Sequence, residues 1–271
     1  MQQSQTIAAI NVNAIAAFND NYIWVITKEN SQQAILVDPG DANVCINYLE
    51  QHQLQLAAIL LTHRHQDHIG GVEQLISWQK TQPIPQEKLA IYGPSNEYTP
   101  CFTQVTELET ITITSLALTI NVLDLPGHTK GHIGFLIGQH LFCGDTLFSA
   151  GCGRLFDGTA EQLFHSLKKL ASLPEDTQVY CAHEYTLANS EFALSLDKNN
   201  NALQAFHQQT TLLRNANKST LPSNIKTERQ INPFLRCFDN NIKTALETIN
   251  NTSLATELEV FVALRKYKDS Y

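Results

Sequence analysis

The first 185 residues alternate apolar and polar positions in a way that predicts short strands separated by helices. Ile10, Val12 and Ala14 alternate with asparagines, which is the two-residue period of a strand with one apolar face. The runs 22–27 and 33–37 are rich in β-branched and aromatic residues and are joined by a polar turn, so they predict a hairpin. Further strands are predicted at 56–61, 89–92, 116–125, 133–137, 141–143 and 179–182.

Helical patterns lie between these strands and dominate the chain after residue 185. The segments 42–51 and 72–78 predict helices. A third helix is predicted by one apolar face, formed by Leu163, Phe164, Leu167 and Leu170. From 186 to 271 no convincing strand pattern recurs, and stretches rich in Gln, Asn and Leu predict helices. We therefore predict two domains, residues 1–184 and a smaller α-helical domain of residues 185–271. Pro83 and Pro85 predict a loop.

Composition and charge narrow the class of protein. The chain has 271 residues, and 18 Lys and Arg against 26 Asp and Glu give a formal net charge of −8. Because an acidic surface repels phosphate backbones, no nucleic-acid partner is expected. No basic start with an unbroken apolar run is found near the N-terminus, and the run 56–61 is too short to span a bilayer. The scattered cysteines lack any C-x-x-C pair, which favours reduced, buried thiols. We expect a cytoplasmic protein without a membrane partner.

Candidate metal ligands follow four of the predicted strands. Four of them fall within the segment 63–68, directly after the strand 56–61, and this density favours a tight loop over an exposed helix. Packing three histidines and a carboxylate together without an ion would cost desolvation energy. Three more candidates each follow another strand beside a small residue, which lets the backbone approach a shared centre. The predicted ligands are His63, His65, Asp67, His68, His128, Asp145 and His183.

Some other polar residues near these strand ends are open to two interpretations. Asp38 either orients a metal ligand from behind or caps the turn at Pro39-Gly40, and the sequence favours neither. His132 stands close to His128 and is a candidate for the same orienting role. The remaining histidines outside any such context are interpreted as structural; they are His52, His140, His165 and His207.

Four motifs resemble those of the metallo-β-lactamase superfamily: Thr-His-Arg-His-Gln-Asp-His at 62–68, Gly-His-Thr-Lys-Gly-His at 127–132, Gly-Asp-Thr-Leu-Phe at 144–148 and His-Glu-Tyr at 183–185. The resemblance implies an α+β fold, a four-layer αββα sandwich followed by the smaller helical domain. It also implies a partition of the ligands. A first metal would be held by His63, His65 and His128, and a second by Asp67, His68 and His183. Asp145 would bridge both metals beside a hydroxide, and Asp67 and Asp145 would act in catalysis through that hydroxide.

A closer resemblance, over nearly the whole chain, is to the glyoxalase II or hydroxyacylglutathione hydrolase family. It rests on the segments 18–22, 142–148, 151–156, 183–186, 232–236 and 265–269. The helical tail matters most, because generic hydrolases of the superfamily lack it. The resemblance implies a monomer with two divalent ions, zinc before iron or manganese. Its substrates would be S-D-lactoylglutathione and related 2-hydroxyacylglutathiones, cleaved to glutathione and D-lactate in the second step of methylglyoxal detoxification.

The same resemblance nominates Arg154, Tyr185, Arg265 and Lys268 as contacts to glutathione. Arg154 stands where some members have Lys, so the charge is kept but a carboxylate would meet a planar fork. Phe156 stands where some members have Tyr, which removes one hydroxyl contact. On a helix, Arg265 and Lys268 would share one face; the alternative is a solvated helix end that favours the helix dipole.

Three classes of function remain open at this point. A thioester suits a metal hydrolase because its thiolate leaving group, with a conjugate acid of pKa about 8.5, departs without a strong general acid. Another hydrolase of the superfamily, such as a different thioesterase, a phosphodiesterase or nuclease, or a lactamase, is a second class. The sparse Lys and Arg disfavour a nuclease, and the lack of an export signal disfavours a lactamase. A metal-stabilised binding protein is the third, and the complete ligand set argues against it.

Overall fold

Two six-stranded sheets form the centre of the molecule in a computed structural model, which describes residues 10–82 and 89–271. The predicted loop at Pro83 and Pro85 lies outside the described residues. The first sheet contains, in spatial order, β1 (Ile10–Ala17), β2 (Asn21–Lys28), β3 (Gln33–Val37), β4 (Gln55–Leu60), β5 (Ala90–Pro94) and β6 (Thr103–Val105). The second contains β7 (Thr110–Ile113), β8 (Leu118–Asp124), β9 (Ile133–Ile137), β10 (His140–Gly144), β13 (Gln178–Cys181) and β14 (Ser223–Asn224). A separate two-stranded hairpin consists of β11 (Leu147–Phe148) and β12 (Gly151–Cys152).

The direction of the strands brings several of their carboxyl ends to the same edge. β1, β2 and β3 are antiparallel neighbours, as the predicted hairpin requires, whereas β3 to β6 run parallel. In the second sheet β13 runs parallel to β10, and β8 has the same direction because β9 separates the two in antiparallel pairing. Parallel strands end at one edge of a sheet, which is where sites collect in layered folds.

The helices lie outside these sheets and continue in the C-terminal part. They are α1 (Ala42–Gln51), α2 (Gln66–Ile69), α3 (Val72–Lys80), α4 (Ala160–Ala171), α5 (Thr186–Leu196), α6 (Asn201–Asn215), α7 (Ile225–Ile231), α8 (Asn240–Asn250) and α9 (Glu257–Ser270). The α+β fold with a C-terminal helical part is confirmed. Among the described residues, no helix combines the length and apolar character needed to cross a bilayer.

Both faces of the first sheet are covered, which explains its nearly continuous apolar strands. In β2, Trp24 and Ile26 enter a core shared with the second sheet, while Ile23 and Val25 enter a second core with α1 and α3. A strand with alternating sides in two cores cannot show a polar face. This double burial accounts for three successive layers: α1 with α3, the first sheet and the second sheet.

Three sequence-based predictions differ from the structure in detail. Asp67 and His68 do not lie in the predicted tight loop but on α2, a single helical turn that begins after His65. This turn packs against the loop 38–40, where a Cβ on Gly40 would lie only 1.9 Å from the carbonyl oxygen of Asp67. The prediction of no strand after residue 185 is wrong at β14, which is too short to produce a sequence pattern. The strands β6, β7, β11 and β12 were not predicted, because they are short and, in β6 and β7, rich in polar residues.

Candidate metal centre

All of the predicted ligands emerge from the shared edge of the two sheets. His63 and His65 follow β4, and Asp67 and His68 follow them on α2. His128, Asp145 and His183 follow β8, β10 and β13, respectively. Gly144 makes this convergence possible, since it adopts φ +48° and a Cβ there would lie 2.4 Å from the Thr62 hydroxyl and 2.8 Å from His132 Nε2.

Three imidazole nitrogens converge at the first group of ligands. His65 Nδ1 lies 3.0 Å from His63 Nε2 and 3.0 Å from His128 Nε2. His128 Nε2 also lies 3.5 Å from Asp145 Oδ2. This group therefore presents three nitrogens and one carboxylate oxygen to one point.

Two imidazoles and two carboxylates meet at the second group. Asp67 Oδ2 lies 3.5 Å from the Nε2 atoms of both His68 and His183. Asp145 Oδ1 lies 3.6 Å from His68 Nε2 and 3.4 Å from His183 Nε2. The two oxygens of Asp145 thus face the two groups separately, which is the geometry of a bridging ligand.

The outward nitrogens of four histidines each meet an oxygen that fixes the position of the ring proton. His128 Nδ1 lies 2.8 Å from the carbonyl oxygen of Arg154, and His183 Nδ1 lies 2.8 Å from Asp20 Oδ1. His68 Nδ1 lies 3.0 Å from Asp38 Oδ2. A carbonyl or carboxylate oxygen only accepts, so each of these Nδ1 atoms carries a proton, and Nε2 is the atom that each ring turns toward the centre.

The fourth ring, His63, belongs to the same network through a hydroxyl group. The Thr62 hydroxyl donates to Asp38 Oδ2 at 2.7 Å and lies 3.0 Å from His63 Nδ1. Since its proton is given to Asp38, the hydroxyl accepts from His63 Nδ1. One carboxylate, Asp38, therefore orients a histidine of each group, and the orienting interpretation of this residue agrees with the geometry. Its Oδ1 atom accepts from the Thr62 amide at 2.8 Å.

The charge states of the buried groups suit ion ligands. Burial lowers the pKa of His63 and of His132 well below the ordinary value for histidine, so both rings are neutral at pH 7. Burial alone would raise the pKa of Asp145, but the neighbouring His68 and His183 outweigh it and hold that pKa well below its usual range. Burial also lowers the pKa of His65 and His128, so the first group offers neutral imidazoles. At His68 and His183 burial lowers the pKa as well, but the neighbouring carboxylates, that of Asp145 first, outweigh it and raise the pKa of both rings, so an ion bound there would replace a proton on each ring.

Two polar atoms at the centre show that a divalent ion fits. His68 Nε2 and Asp145 Oδ1 are buried and have no hydrogen-bond partner. A buried polar atom left unpaired costs free energy, and coordination would satisfy both. Three groups of ligand atoms, each with its atoms within 4.8 Å of one another, could hold an ion: His63, His65 and His128; His63, His68 and Asp145; Asp67, His68 and His183. Imidazole nitrogen with carboxylate oxygen is a donor set for zinc, iron or manganese.

Two residues at the junction of β1 and β2 contact the centre, although neither was predicted as a site residue. Asp20 accepts from His183 Nδ1, and Asn21 donates to Asp67 Oδ2 at 3.0 Å. The turn is also tied by its backbone, since the amide of Tyr22 donates to Ala182 O at 2.7 Å. They lie in the segment 18–22, which carried the family resemblance, but a polar turn is no chemical signal by itself.

His132 also holds a position beside the centre. Its Nε2 accepts from the amide of Asp145 at 3.1 Å, and its Nδ1 lies 3.2 Å from the Thr146 hydroxyl. The ring therefore fixes the backbone of Asp145, as the orienting role predicted for it requires. The histidines interpreted as structural make other contacts: His140 with Tyr180, His207 with Ser190 and His52 with Tyr48.

A cavity of about 540 Å³ opens over the centre, and all four predicted substrate contacts line it: Arg154, Tyr185, Arg265 and Lys268. The Tyr185 ring stacks on His183 with centroids 4.7 Å apart. Phe156, which is 64% exposed, packs edge-on against His65 and His128. The cavity therefore joins the metal ligands to a group of cationic side chains.

The two cations of α9 differ in their surroundings. Arg265 is buried, and its guanidinium donates to the carbonyl oxygen of Cys152 at 3.0 Å and to Asp269 at 2.9 Å. Lys268 has its ammonium 4.5 Å from the Phe192 ring centroid, and burial followed by the charge of Arg265 lowers its pKa to about 8. The solvated helix end considered for both residues is wrong for Arg265, because its side chain lies inside the protein.

Comparison with known proteins agrees with this site. Residues 17–183 match the model of the metallo-β-lactamase superfamily, and residues 184–271 match that of the hydroxyacylglutathione hydrolase C-terminus. The structure resembles the crystal structure of ETHE1 from Myxococcus xanthus with a TM-score of 0.63 at 22% identity, over 96% of this chain and 99% of that one. This similarity concerns the fold alone.

Curated relatives match over almost the full length. A hydroxyacylglutathione hydrolase of Shewanella baltica is 49% identical over 269 residues, covering 97% of this chain and 100% of the relative. One from Aliivibrio fischeri is 44% identical over 263 residues with the same coverage. With its ligand geometry, its cationic cavity and these matches, the chain belongs to the hydroxyacylglutathione hydrolase family of the metallo-β-lactamase superfamily.

Proposed function

We propose that this protein hydrolyses the thioester bond of S-D-lactoylglutathione and of related S-2-hydroxyacylglutathiones, releasing glutathione and D-lactate. The observation that carries the proposal is one cavity that combines metal ligands with the cations Arg154, Arg265 and Lys268. Glutathione carries two carboxylates, which such cations complement. The names of the curated relatives support the same substrate class.

We propose two divalent ions per chain, with zinc as the first candidate and iron or manganese as alternatives. The first ion would be held by His63, His65 and His128, and the second by Asp67, His68 and His183. Asp145 would serve both, one oxygen for each. When bound, a pair of ions about 3.5–4 Å apart lowers the pKa of a shared water and polarises the substrate carbonyl.

The residues of the chain hold the reacting groups in place. Asp67 is part exposed at the cavity and is oriented by Asn21, so its carboxylate is placed to accept a hydrogen bond from the attacking water. Asp38 acts one step away, by fixing the rings of two histidines. No side chain has to protonate the leaving group, because a thiolate with a conjugate acid of pKa about 8.5 leaves on its own.

The cationic part of the cavity is proposed to bind glutathione. Lys268 and Arg154 are the cations that can turn toward a carboxylate, whereas Arg265 contributes its charge from a fixed position in the wall. Burial, followed by the nearby carboxylates of Asp20 and the ligands, raises the pKa of Tyr185 to about 12. Its hydroxyl therefore stays protonated and can donate to the peptide part of the substrate.

The organisation proposed for the chain follows these roles. Residues 1–184 would form the catalytic domain, with all four strand ends that carry predicted ligands. Residues 185–271 would form the substrate-binding domain, since Lys268 and Arg265 lie on its last helix. We further propose that the protein is a cytoplasmic monomer, in agreement with the reduced state favoured by the buried cysteines.

Release of free thiol from S-D-lactoylglutathione tests this function. The zinc-loaded protein is expected to release thiol, and His63→Ala is expected to lower kcat/KM by at least about a hundredfold, because one ligand of the first ion is lost. His52→Ala, an exposed histidine at the end of α1, is the matched control and should keep wild-type rates. Turnover that is no faster than that of His63→Ala would contradict the proposal.

A substrate panel separates the alternatives within the superfamily. Under equal metal loading, the thioester should be cleaved far faster than an activated phosphodiester or a cephalosporin. A thioester of the same acid with a thiol that lacks carboxylates should show a raised KM, because the cations then have no partner. Faster cleavage of the phosphodiester would instead favour a phosphodiesterase, and metal-dependent stability without turnover would favour a binding protein.

A further inference from the structure

The hairpin of β11 and β12 forms a wall of the active-site cavity but belongs to neither large sheet. Its strands pair only with each other within the described residues. Phe148 and Cys152 line the cavity, and residues 147–152 are all buried. In sequence the hairpin connects Asp145 to Arg154. The position of the hairpin therefore affects both the carboxylate that faces the two ligand groups and a cation of the proposed substrate site.

Polar side chains from the helical part of the chain hold the turn of this hairpin. Asn232 donates through Nδ2 to Phe148 O at 3.1 Å and to Gly151 O at 2.9 Å. Glu228 accepts from the Ser149 hydroxyl at 2.8 Å and from the Ala150 amide at 2.9 Å. Every backbone group of the turn that these bonds reach is buried, so the helical part supplies partners that a larger sheet would otherwise provide.

A third side chain, Asn189 of α5, completes the contact. It donates to Ser149 O at 3.1 Å. A Cβ on Gly151 would lie 2.5 Å from the Asn189 amide nitrogen, so this side chain is in close contact with the turn. Ala150 adopts φ +56°, a left-handed conformation that an L-residue keeps only where its surroundings hold it.

Burying the carboxylate of Glu228 at this position costs desolvation free energy. Its side chain is fully buried, and the hydrogen-bond donors that it meets are neutral. Four donors meet its two oxygens instead: Ser149, Ala150, Asn232 at 3.0 Å and Ser223 in a short contact. Burial raises its pKa. An apolar residue would avoid this desolvation cost, so the carboxylate is explained by the groups that it positions.

The end of the hairpin transmits its position to the catalytic groups. A Cβ on Gly153 would lie 2.0 Å from the carbonyl oxygen of Asp145, so the two segments are in direct contact. The next residue, Arg154, accepts from His128 Nδ1 through its carbonyl oxygen and carries its guanidinium into the cavity. Any displacement of the turn therefore moves the substrate cation Arg154 before it moves most of the ion ligands, which lie on other segments.

We propose that Glu228 and Asn232 are positioning residues of this hydrolase, through which the helical part of the chain sets the cavity wall 148–154 and so the affinity for the glutathione thioester. The proposal rests on the function proposed above. It assigns the helical part a second task besides carrying Arg265 and Lys268, because the wall is incomplete without its buried polar groups.

Three variants test the proposal by steady-state hydrolysis of S-D-lactoylglutathione with zinc content measured in parallel. Glu228→Leu and Asn232→Asp remove the bonds to the turn; Asn232→Asp keeps the oxygen that accepts from the Phe234 amide. Both are expected to raise KM by about tenfold or more while kcat changes less and zinc content stays at the wild-type value. Glu228→Gln should stay within about twofold of wild type, because its amide can donate to the hydroxyls of Ser149 and Ser223.

The control is Asp197→Asn, which weakens a buried ion pair with Arg236 in the helical part without touching the hairpin. It should lower the melting temperature and leave KM unchanged, which separates positioning from stability. If neither Glu228→Leu nor Asn232→Asp folds, Ser149→Ala takes their place and must raise KM more than Asp197→Asn.

The inference would be overturned if the wild type hydrolyses the substrate and KM is unchanged in Glu228→Leu and Asn232→Asp. It would also be overturned if KM rises as much in Glu228→Gln as in Glu228→Leu. A wild type without turnover would overturn the proposed function instead.

Discussion

A single carboxylate, that of Asp38, orients one histidine of each ligand group. It accepts directly from His68 Nδ1 and indirectly, through the Thr62 hydroxyl, from His63 Nδ1. Both rings then turn their Nε2 atoms toward the centre. The residue that decides ligand geometry is therefore not a ligand, and its effect is exerted through the ring tautomers.

Replacement of Asp38 by Asn is expected to weaken the binding of the second ion by about 10- to 100-fold. The amide would still accept from the Thr62 amide, but its NH₂ would face His68 Nδ1 and favour the tautomer with the proton on Nε2. Chelator competition followed by metal analysis measures the change. Asp41→Asn is the matched control, since Asp41 only caps α1 on the same loop. Ion affinities in Asp38→Asn that are unchanged from those of the wild type would contradict the orienting role.

The ammonium of Lys268 gives substrate binding a pH dependence. Its pKa is lowered to about 8 by burial and by the charge of Arg265, so it is mostly charged at pH 7 and mostly neutral at pH 9. Because only the charged form attracts a carboxylate, kcat/KM should fall by up to about tenfold as pH rises through 8. In Lys268→Arg the cation persists, so this decrease should be absent from the variant's profile, and the ratio of wild-type to variant kcat/KM should fall as pH rises through 8. Parallel profiles for wild type and variant would exclude Lys268 from glutathione binding.

At the scale of elements, α9 packs against α4 through apolar side chains such as Phe261, and one buried cation adds polar bonds to the catalytic part. Arg265 joins the helix to the end of the hairpin through the carbonyl oxygen of Cys152. Its guanidinium also packs 5.2 Å from the Phe234 ring centroid. The residue is thus a structural bond as well as part of the cavity wall.

Arg265→Ala is expected to lower the free energy of unfolding by about 3 kcal/mol, because buried carbonyl oxygens and the Asp269 carboxylate lose their donor. Lys268→Ala should lower it by less than about 1 kcal/mol, since this part-exposed ammonium makes only weak contacts, 3.5 Å to Ala188 O and 4.5 Å to the Phe192 ring centroid. Urea denaturation of the zinc-loaded proteins measures both values. If Lys268→Ala lowers the free energy of unfolding as much as Arg265→Ala does, the buried hydrogen bonds of Arg265 do not explain the destabilisation.

Most elements could be predicted from periodicity, and the exceptions have a physical cause. The helix 42–51 was predicted at its observed bounds, because Asp41 caps it and its apolar residues share one face. β14 could not be predicted, because two residues have no period and are held by pairing with β13. α2 was not predicted, because it is a single turn after His65. Its packing against the loop at Gly40 is a contact between residues that are distant in sequence.

At the scale of the whole molecule, the candidate metal ligands could be predicted from the sequence far better than the residues that orient them. His63, His65 and His68 were predicted because packing these polar side chains together without an ion would cost desolvation free energy. Asp20, Asn21 and Glu228 were not assigned roles, since a polar turn and a lone glutamate in a helix look like ordinary surface. Their function appears only when the fold brings them against His183, Asp67 and the hairpin turn.

Side chains from four strand ends are proposed to hold two ions that share Asp145, and an anomalous-difference map from crystals of the zinc-loaded protein would locate both ions. Two peaks about 3.5–4 Å apart are expected, one beside His63 and His128 and one beside His68 and His183, with Asp145 between them. A single peak, or two peaks of which only one contacts Asp145, would show that the ions do not share this carboxylate.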